Sequence, residues 1–170
     1  MLIPQARIAP AANQAAPAIL LVNDDPGALF ALRSVLGDLD ADLVTANSGE
    51  QALLRLLKQD FCLILMDVKM TGLDGFETAR LVRARPRSRA TPIVFLTSHR
   101  ASDLDRSRGL EVGASEYEVM PVAPEVLKSK VQPFIDAAPE RRPIRTAGTA
   151  GFAAQDEAPD AGIERLILEH

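Results

Sequence analysis

The sequence lacks the residues that cross-link small secreted proteins and the long apolar runs that enter membranes. It has one cysteine, Cys62, which cannot form an internal disulfide and whose place in an apolar run predicts a small buried side chain. No apolar run approaches the roughly 20 residues of a membrane-spanning helix. The chain does not open on a basic stretch followed by an apolar core, so no secretory signal is predicted. We therefore expect a cytoplasmic protein without membrane contact.

A concentrated basic surface is missing as well. The net charge is −4 at pH 7, and we expect no direct contact with nucleic acid, which usually requires a basic patch. What is present, 47% hydrophobic and 25% charged residues, is typical of a folded globular protein.

The composition and periodicity of the sequence change twice along the chain. Residues 1–17 are rich in Ala and Pro and have no helical or strand period, which predicts a flexible tail. Residues 18–138 carry regular patterns, and residues 139–170 lose them again. We expect one domain over 18–138, followed by a mostly irregular tail.

Within the domain, a short apolar run followed by an amphipathic segment recurs as one repeating unit. The predicted third strand has six apolar residues in succession, which is typical of a central parallel strand buried on both faces. Such alternation predicts an α/β fold with a doubly wound, five-stranded parallel sheet in the flavodoxin-like order 2-1-3-4-5, and helices on both faces. The predicted strands are Ala18–Val22, Asp42–Ala46, Phe61–Met66, Pro92–Thr97 and Ser115–Val119.

Capping signals mark where the helices begin. Asp25 and Pro26 suit the cap and first turn of the first helix. Ser48 and Gln51 have the spacing of a capping box that opens the second, which runs to about Lys58. The last helix is expected to be kinked or shortened at its internal proline. The three later helices are predicted over Phe76–Arg85, Ala101–Val112 and Pro124–Ala137.

Polar residues follow the predicted strands at their carboxyl ends, where ligands bind in sheets of this kind. Asn23, Asp24 and Asp25 follow the first strand, and Asp67 follows the third. Carboxylates drawn to one edge repel each other unless a cation lies among them. Oxygen ligands open to solvent suit Mg²⁺, and an acid beside Mg²⁺ is a good phosphoryl acceptor. Asp25 by itself is better explained as a helix cap.

Four motifs carry a family resemblance. They are Leu-Leu-Val-Asn-Asp-Asp-Pro at 20–26, Leu-Met-Asp-Val-Lys-Met-Thr-Gly-Leu-Asp-Gly-Phe-Glu at 65–77, Pro-Ile-Val-Phe-Leu-Thr at 92–97 and Gly-Ala-Ser-Glu-Tyr-Glu-Val-Met-Pro at 113–121. In this order and at this spacing they resemble the receiver (response-regulator) domain of two-component signal transduction systems. The resemblance implies a phosphorelay signalling module rather than an enzyme, with a histidine kinase or a phosphotransfer protein as its partner.

The resemblance also assigns roles to residues of the site. It implies that Asp67 is the phosphoacceptor and that the cofactor is Mg²⁺. The metal would be held by Asp24 and Asp67, by the backbone carbonyl of Lys69 and, through water, by Asn23.

Two further residues match the switch of the family. Thr97 matches the hydroxyl that turns toward the phosphoryl group, and Tyr117 matches the aromatic residue that moves with it. The resulting state would be relayed through the face of the fourth helix, fifth strand and fifth helix. Homodimerisation through the same face is an option that the resemblance leaves open.

Three positions depart from the family pattern. Asn23 replaces an acid, Thr71 replaces the usual proline of the loop, and Met120 replaces the lysine that pairs with the phosphoryl group. The site is therefore partly degenerate, and two hypotheses stay open. Either the domain still switches on phosphorylation, or it is a pseudo-receiver that binds partners without phosphorylation. An enzyme of the haloacid-dehalogenase type is disfavoured, because Lys69 stands where a second acid would be needed.

Overall fold

Strands and helices alternate along residues 16–97 and 103–139, the part of the chain that this computed structural model describes. Most of the two predicted tails, 1–17 and 139–170, lies outside these residues. The strands are β1 (Ala18–Val22), β2 (Asp42–Ala46), β3 (Leu63–Asp67), β4 (Ile93–Thr97) and β5 (Glu116–Val119). The helices are α1 (Pro26–Leu36), α2 (Gly49–Lys58), α3 (Gly75–Ala84), α4 (Asp103–Glu111) and α5 (Pro124–Asp136). Within the described residues, no helix has the length and apolar character needed to span a bilayer.

The strands form one parallel sheet in the order β2-β1-β3-β4-β5, which confirms the predicted fold. The residues of β1, β3 and β4 are buried apart from Asp67, which is partly exposed at the end of β3. These three strands are central, so helices cover both of their faces and apolar residues are favoured along their whole length. The winding reverses between β1 and β3, which opens a crevice at their carboxyl ends.

Side chains alternate along the strands and so build two separate cores. On one face of the sheet, Leu20 and Ile64 pack with α2 and α3. On the other, Ile19 and Leu65 pack with α1 and α5. By the same alternation, Asp67 follows Leu65 on the α1/α5 face of the sheet.

Side chains cap the start of α2 and α3 in different ways. Ser48 accepts the N–H of Gln51 at 3.1 Å, as predicted for α2. The side chain of Gln51, however, accepts from the N–H of Asn47 at 2.8 Å, so the box is only half formed. Asp74 and Glu77 form a complete capping box at the start of α3, which the sequence analysis did not identify.

Two expectations near β3 need correction. The strand begins at Leu63 rather than Phe61, and it includes Asp67. Cys62 consequently lies just before the strand and is only partly buried, packed against the α1/α5 core. The other described boundaries agree with the prediction within three residues.

Pro133 was expected to kink or shorten the last helix, and the shortening does not occur. Pro133 lies inside α5, which continues to Asp136. An internal proline costs a helix about 3 kcal/mol, but Val131 and Ile135 on either side of it are buried in the α1/α5 core. Tertiary packing of this face outweighs the local cost.

Candidate functional site

The polar residues that follow β1 and β3 reach the same edge of the sheet. The register pairs Val22 with Met66, and Asp67 with Leu96 of β4. Asp67 therefore lies one residue beyond the last β1–β3 pair. Asn23, which continues from Val22, reaches the edge beside it.

A cleft of about 420 Å³ opens between this edge, α1 and α5. We call it the apolar cleft, because most of its wall consists of aliphatic residues of α1, β4, α5 and the segment that joins β5 to α5, such as Leu32, Val35, Leu96, Met120 and Val122. Its polar end is formed by Asn23, Asp24, Asp25, Asp67 and Lys69. The structure thus brings together every residue to which the sequence analysis assigned a metal-binding role.

A second cleft, of about 440 Å³, lies on the α3/α4 side of Asp24. We call it the polar cleft, because five of its eight lining residues are polar or charged: Asp24, Lys69, Thr71, Asp74 and Arg108. The guanidinium of Arg108 lies over the ring of Phe76, 5.1 Å from its centroid, a cation–π contact that helps to fix its position. Asp24 and Lys69 border both clefts.

The turn after β1 is shaped by two of its own side chains. Oδ1 of Asn23 accepts the N–H of Asp25 at 2.8 Å. Oδ1 of Asp25 in turn accepts the N–H of Gly27 at 2.8 Å and caps α1, as predicted. The carboxylate of Asp25 is therefore engaged at the helix start, whereas Asp24 and Asp67 lie at the centre of the site.

Asp24 is held by the loop that follows β3. Its Oδ2 accepts two hydrogen bonds from Thr71, one from the backbone N–H at 2.7 Å and one from Oγ1 at 2.9 Å. These bonds, the backbone one first, lower the pKa of Asp24 from its usual 3.8, because they stabilise the charged carboxylate. Thr71 was predicted only as a departure from the family pattern, and its contact with Asp24 was not predicted. The sequence did indicate that this position has a backbone N–H donor, which the proline expected there would lack.

Glycines shape the same loop and bring α3 close to Asp67. The N–H of Gly75 donates to the carbonyl of Val68 at 2.8 Å and closes the loop. A Cβ on Gly75 would overlap the backbone carbonyl oxygen of Asp67. Gly72 has a φ of +80°, which glycine adopts without the strain that other residues incur.

Thr97 and Tyr117 do not line either of these two clefts. Thr97 is buried at the end of β4, and its carbonyl accepts the N–H of Met120 at 2.7 Å. Tyr117 is paired in register with Phe95, and their ring centroids are 6.0 Å apart. A Cβ on Gly109 would stand 3.2 Å from the Tyr117 ring, so α4 approaches this ring closely. The switch roles of Thr97 and Tyr117 stay predictions.

Met120 contributes to the apolar cleft on the side of Asp67. It is half-buried and packs against the α1/α5 core. Its thioether offers neither a positive charge nor an N–H donor. Among the described residues that line the two clefts, the cationic ones are Lys69 and Arg108, and Arg108 belongs to the polar cleft alone.

The oxygen atoms at this edge suit a hard divalent cation. Mg²⁺ takes one or two carboxylates and keeps several waters, and Asp24 and Asp67 supply that number. Within the described part of the chain, no group of three or more His, Cys, Asp or Glu side chains comes together as a metal cage. The two carboxylates of Asp24 and Asp67 therefore fit a partly hydrated Mg²⁺.

Sequence comparisons agree with this geometry. The family described as Response regulator receiver domain matches residues 19–132. Sensor protein GacS of Pseudomonas syringae pv. syringae is 32% identical, over 98% of this chain and 18% of its own length. Transcriptional regulatory protein AfsQ1 of Streptomyces coelicolor is 40% identical, over 68% of this chain and 50% of its own length. The chain thus spans half or less of these two relatives.

Solved structures of similar fold include two receiver proteins. Chemotaxis protein CheY4 of Vibrio cholerae is 32% identical with a TM-score of 0.66, over 71% of this chain and 99% of that one. The receiver domain of sensor histidine kinase PA1611 from Pseudomonas aeruginosa is 31% identical with a TM-score of 0.66, over 72% of this chain and 100% of that one. The latter structure has a magnesium ion coordinated in its active site cleft.

Proposed function

The chain belongs to the response regulator receiver domain family, and on that basis we propose that it is a phosphorelay receiver that accepts a phosphoryl group on Asp67. The observation that carries the proposal is the placement of Asp67, an acid that directly ends a buried central strand beside Asp24. The donor would be a histidine kinase or a phosphotransfer protein in the cytoplasm.

In the proposed reaction, a carboxylate oxygen of Asp67 attacks the phosphorus of the donor's phosphohistidine. The P–O bond forms as the P–N bond breaks, and the bonding electron pair returns to the imidazole nitrogen. When bound, Mg²⁺ would supply positive charge to the phosphoryl oxygens, where negative charge is concentrated during the transfer.

Residues around Asp67 would hold the metal and the phosphoryl group. Asp24 and Asp67 would ligate the cation directly, with the Lys69 carbonyl and, through water, the amide of Asn23. Oδ1 of Asn23 already accepts one hydrogen bond within the turn, which leaves one further acceptor site for water. The hydroxyl of Thr97 would donate to a phosphoryl oxygen after phosphorylation.

The test is incubation with acetyl phosphate and Mg²⁺, followed by intact mass. We expect the mass of one phosphoryl group on the wild type and none on Asp67→Asn. The matched control is Asp25→Asn, which removes a neighbouring carboxylate but keeps a residue that caps helices well, and it should be labelled like the wild type. Labelling that persists in Asp67→Asn would disprove the assignment.

For output, we propose the face formed by α4, β5 and α5. Leu110 on α4 is 74% exposed, although it is a large apolar residue. On β5, Glu116 and Glu118 pair with Lys130 of α5 at 3.1 and 2.6 Å. Such a surface of exposed apolar side chain and paired charges suits regulated protein contacts, including pairing of two copies.

The alternative is a pseudo-receiver, and the observation that favours it is the apolar packing of Met120 beside Asp67. NMR shifts distinguish the two. A phosphorylation switch predicts that acetyl phosphate and Mg²⁺ move the amide signals of Tyr117 and Leu110 in the wild type but not in Asp67→Asn. A pseudo-receiver predicts no movement at either residue.

A further inference from the structure

The contact between Asp24 and Thr71 joins two parts of the site that are 47 residues apart in sequence. Both donors of Thr71, the backbone N–H and the hydroxyl, reach the same carboxylate oxygen, Oδ2, at 2.7 and 2.9 Å. Hydrogen bonds to a charged acceptor are stronger than neutral ones. Asp24 is therefore fixed to the loop after β3 rather than turned freely toward solvent.

Thr71 lies in a short closed loop. The loop begins directly after Asp67 and closes where the N–H of Gly75 meets the carbonyl of Val68. Between these ends, Gly72 adopts a φ of +80° and reverses the chain. The segment that holds Asp24 is thus continuous with the strand end that carries Asp67.

Because both bonds end on Oδ2, the two carboxylate oxygens of Asp24 differ in how many acceptor sites they keep. A carboxylate oxygen offers about two acceptor sites, and on Oδ2 both are taken by Thr71. Oδ1 receives no hydrogen bond from Thr71, so it is the oxygen that this loop leaves available to a cation. A bidentate contact through both oxygens would require the Thr71 bonds to break.

We propose that Thr71 is a positioning residue for the metal site, which holds Asp24 so that Mg²⁺ is ligated through Oδ1 alone. The inference rests on the proposed function, because it takes Asp24 as a metal ligand. Ligating carboxylates are commonly oriented by hydrogen bonds from outer residues, and loss of such a partner typically lowers metal affinity by about 10–100-fold. A proline at this position could supply neither donor, so this means of holding Asp24 depends on threonine or serine.

The experiment compares Mg²⁺ affinity among three variants of the full chain, by following amide NMR shifts near Asp24 and Asp67 without any phosphoryl donor. Thr71→Ser keeps both donors, Thr71→Val keeps only the backbone N–H, and Thr71→Pro keeps neither. We expect Thr71→Ser to bind like the wild type, Thr71→Val more weakly, and Thr71→Pro at least about tenfold more weakly. Thr71→Val preserves the shape of threonine, so its result stands even if Thr71→Pro distorts the loop.

Two readouts separate positioning from a merely structural role. The melting temperature of metal-free Thr71→Val should fall by no more than about 5 °C while its Mg²⁺ affinity falls. In the absence of metal, Asp24→Asn should shift the NMR signal of the Thr71 amide proton relative to the wild type, because the charged acceptor is lost. Equal or tighter Mg²⁺ binding by Thr71→Val and Thr71→Pro would overturn the inference.

Failure of the proposed function would look different. If Asp67 is not phosphorylated but Mg²⁺ affinity follows the expected order, the positioning role stands and the acceptor assignment falls. If the wild type binds no Mg²⁺, the metal site itself is wrong, and the role of Thr71 falls with it.

Discussion

The two clefts that flank Asp24 differ in what they offer to a phosphoryl group. The apolar cleft, on the side of α1 and α5, brings Met120 and aliphatic side chains to Asp67. The polar cleft, on the side of α3 and α4, brings Thr71 and Arg108 to Asp24. Lys69 borders both. The loop after β3 and α4 thus bring side-chain donors to this site, whereas the α1/α5 side brings mainly apolar surface.

The largest effect is expected from introducing a positively charged side chain into the apolar cleft. Met120→Lys should speed phosphorylation of Asp67 by acetyl phosphate by about tenfold or more. The reason is that a charge-assisted hydrogen bond contributes about 1.5–3 kcal/mol, and about 1.4 kcal/mol changes a rate tenfold. The measurement is the time course of labelling by intact mass, together with the phosphorylation-dependent shift of Tyr117.

Met120→Leu is the matched control, since it keeps the side chain apolar and close to the same volume. It should leave the labelling rate near that of the wild type. If the wild type already switches fully and Met120→Lys adds nothing, the hypothesis of a partly degenerate site is wrong.

A smaller effect is expected from removing the positive charge of Lys69, which borders both clefts. Lys69→Met should slow phosphorylation by up to about fivefold, because exposed charge pairs contribute about 0.2–1 kcal/mol. The loss should shrink when Met120→Lys is also present, since a cation then stands on the other side of Asp67. A double-mutant cycle of labelling rates measures this coupling.

Lys58→Met serves as the control, because it removes an exposed lysine at the end of α2. It therefore removes one positive charge, as Lys69→Met does. It should leave the rate unchanged. Equal losses in Lys69→Met with and without Met120→Lys would show that Lys69 does not substitute for the missing lysine.

The smallest effect concerns the pH dependence of stability on the polar side. The pKa of Asp24 is lowered from 3.8 by its bonds to Thr71. A carboxyl with a lowered folded-state pKa stabilises the fold above the unfolded-state pKa, and this stabilisation is lost as the pH falls through the folded-state pKa. Thr71→Val should therefore lower the free energy of unfolding at neutral pH and matter less in acid. Because Asp24 is still partly exposed to solvent, the difference should stay below about 1 kcal/mol.

Urea unfolding at neutral pH and at a pH well below 3.8 measures this change, and NMR titration of the Asp24 carboxyl should show its pKa rising in Thr71→Val. Thr91→Val, in the loop before β4, is the control and should leave the Asp24 titration unaltered. A Thr71→Val variant with the wild-type titration of Asp24 would contradict the cause assigned to the lowered pKa.

Much of the fold could be predicted because its determinants are local or periodic. The apolar run before Asp67 predicts a buried central strand, and alternation with amphipathic segments leaves few topologies for a parallel sheet. The capping role of Asp25 was predictable for the same reason, because its partner, Gly27, is two residues away. Pro133 shows the limit, since a local rule against proline in helices was outweighed by the burial of Val131 and Ile135.

The sequence by itself determined which acids reach one edge of the sheet, because parallel strands place their carboxyl ends together whatever the loops do. It also determined that Met120 brings no charge to that edge. Only the tertiary structure decided that Thr71 binds Asp24 across 47 residues, and that one side of the site is apolar while the other carries Thr71 and Arg108. These contacts depend on the path of the loop after β3 and on how closely α3 and α4 pack, and neither follows from local pattern, since long-range distances are set by the packing of the whole core.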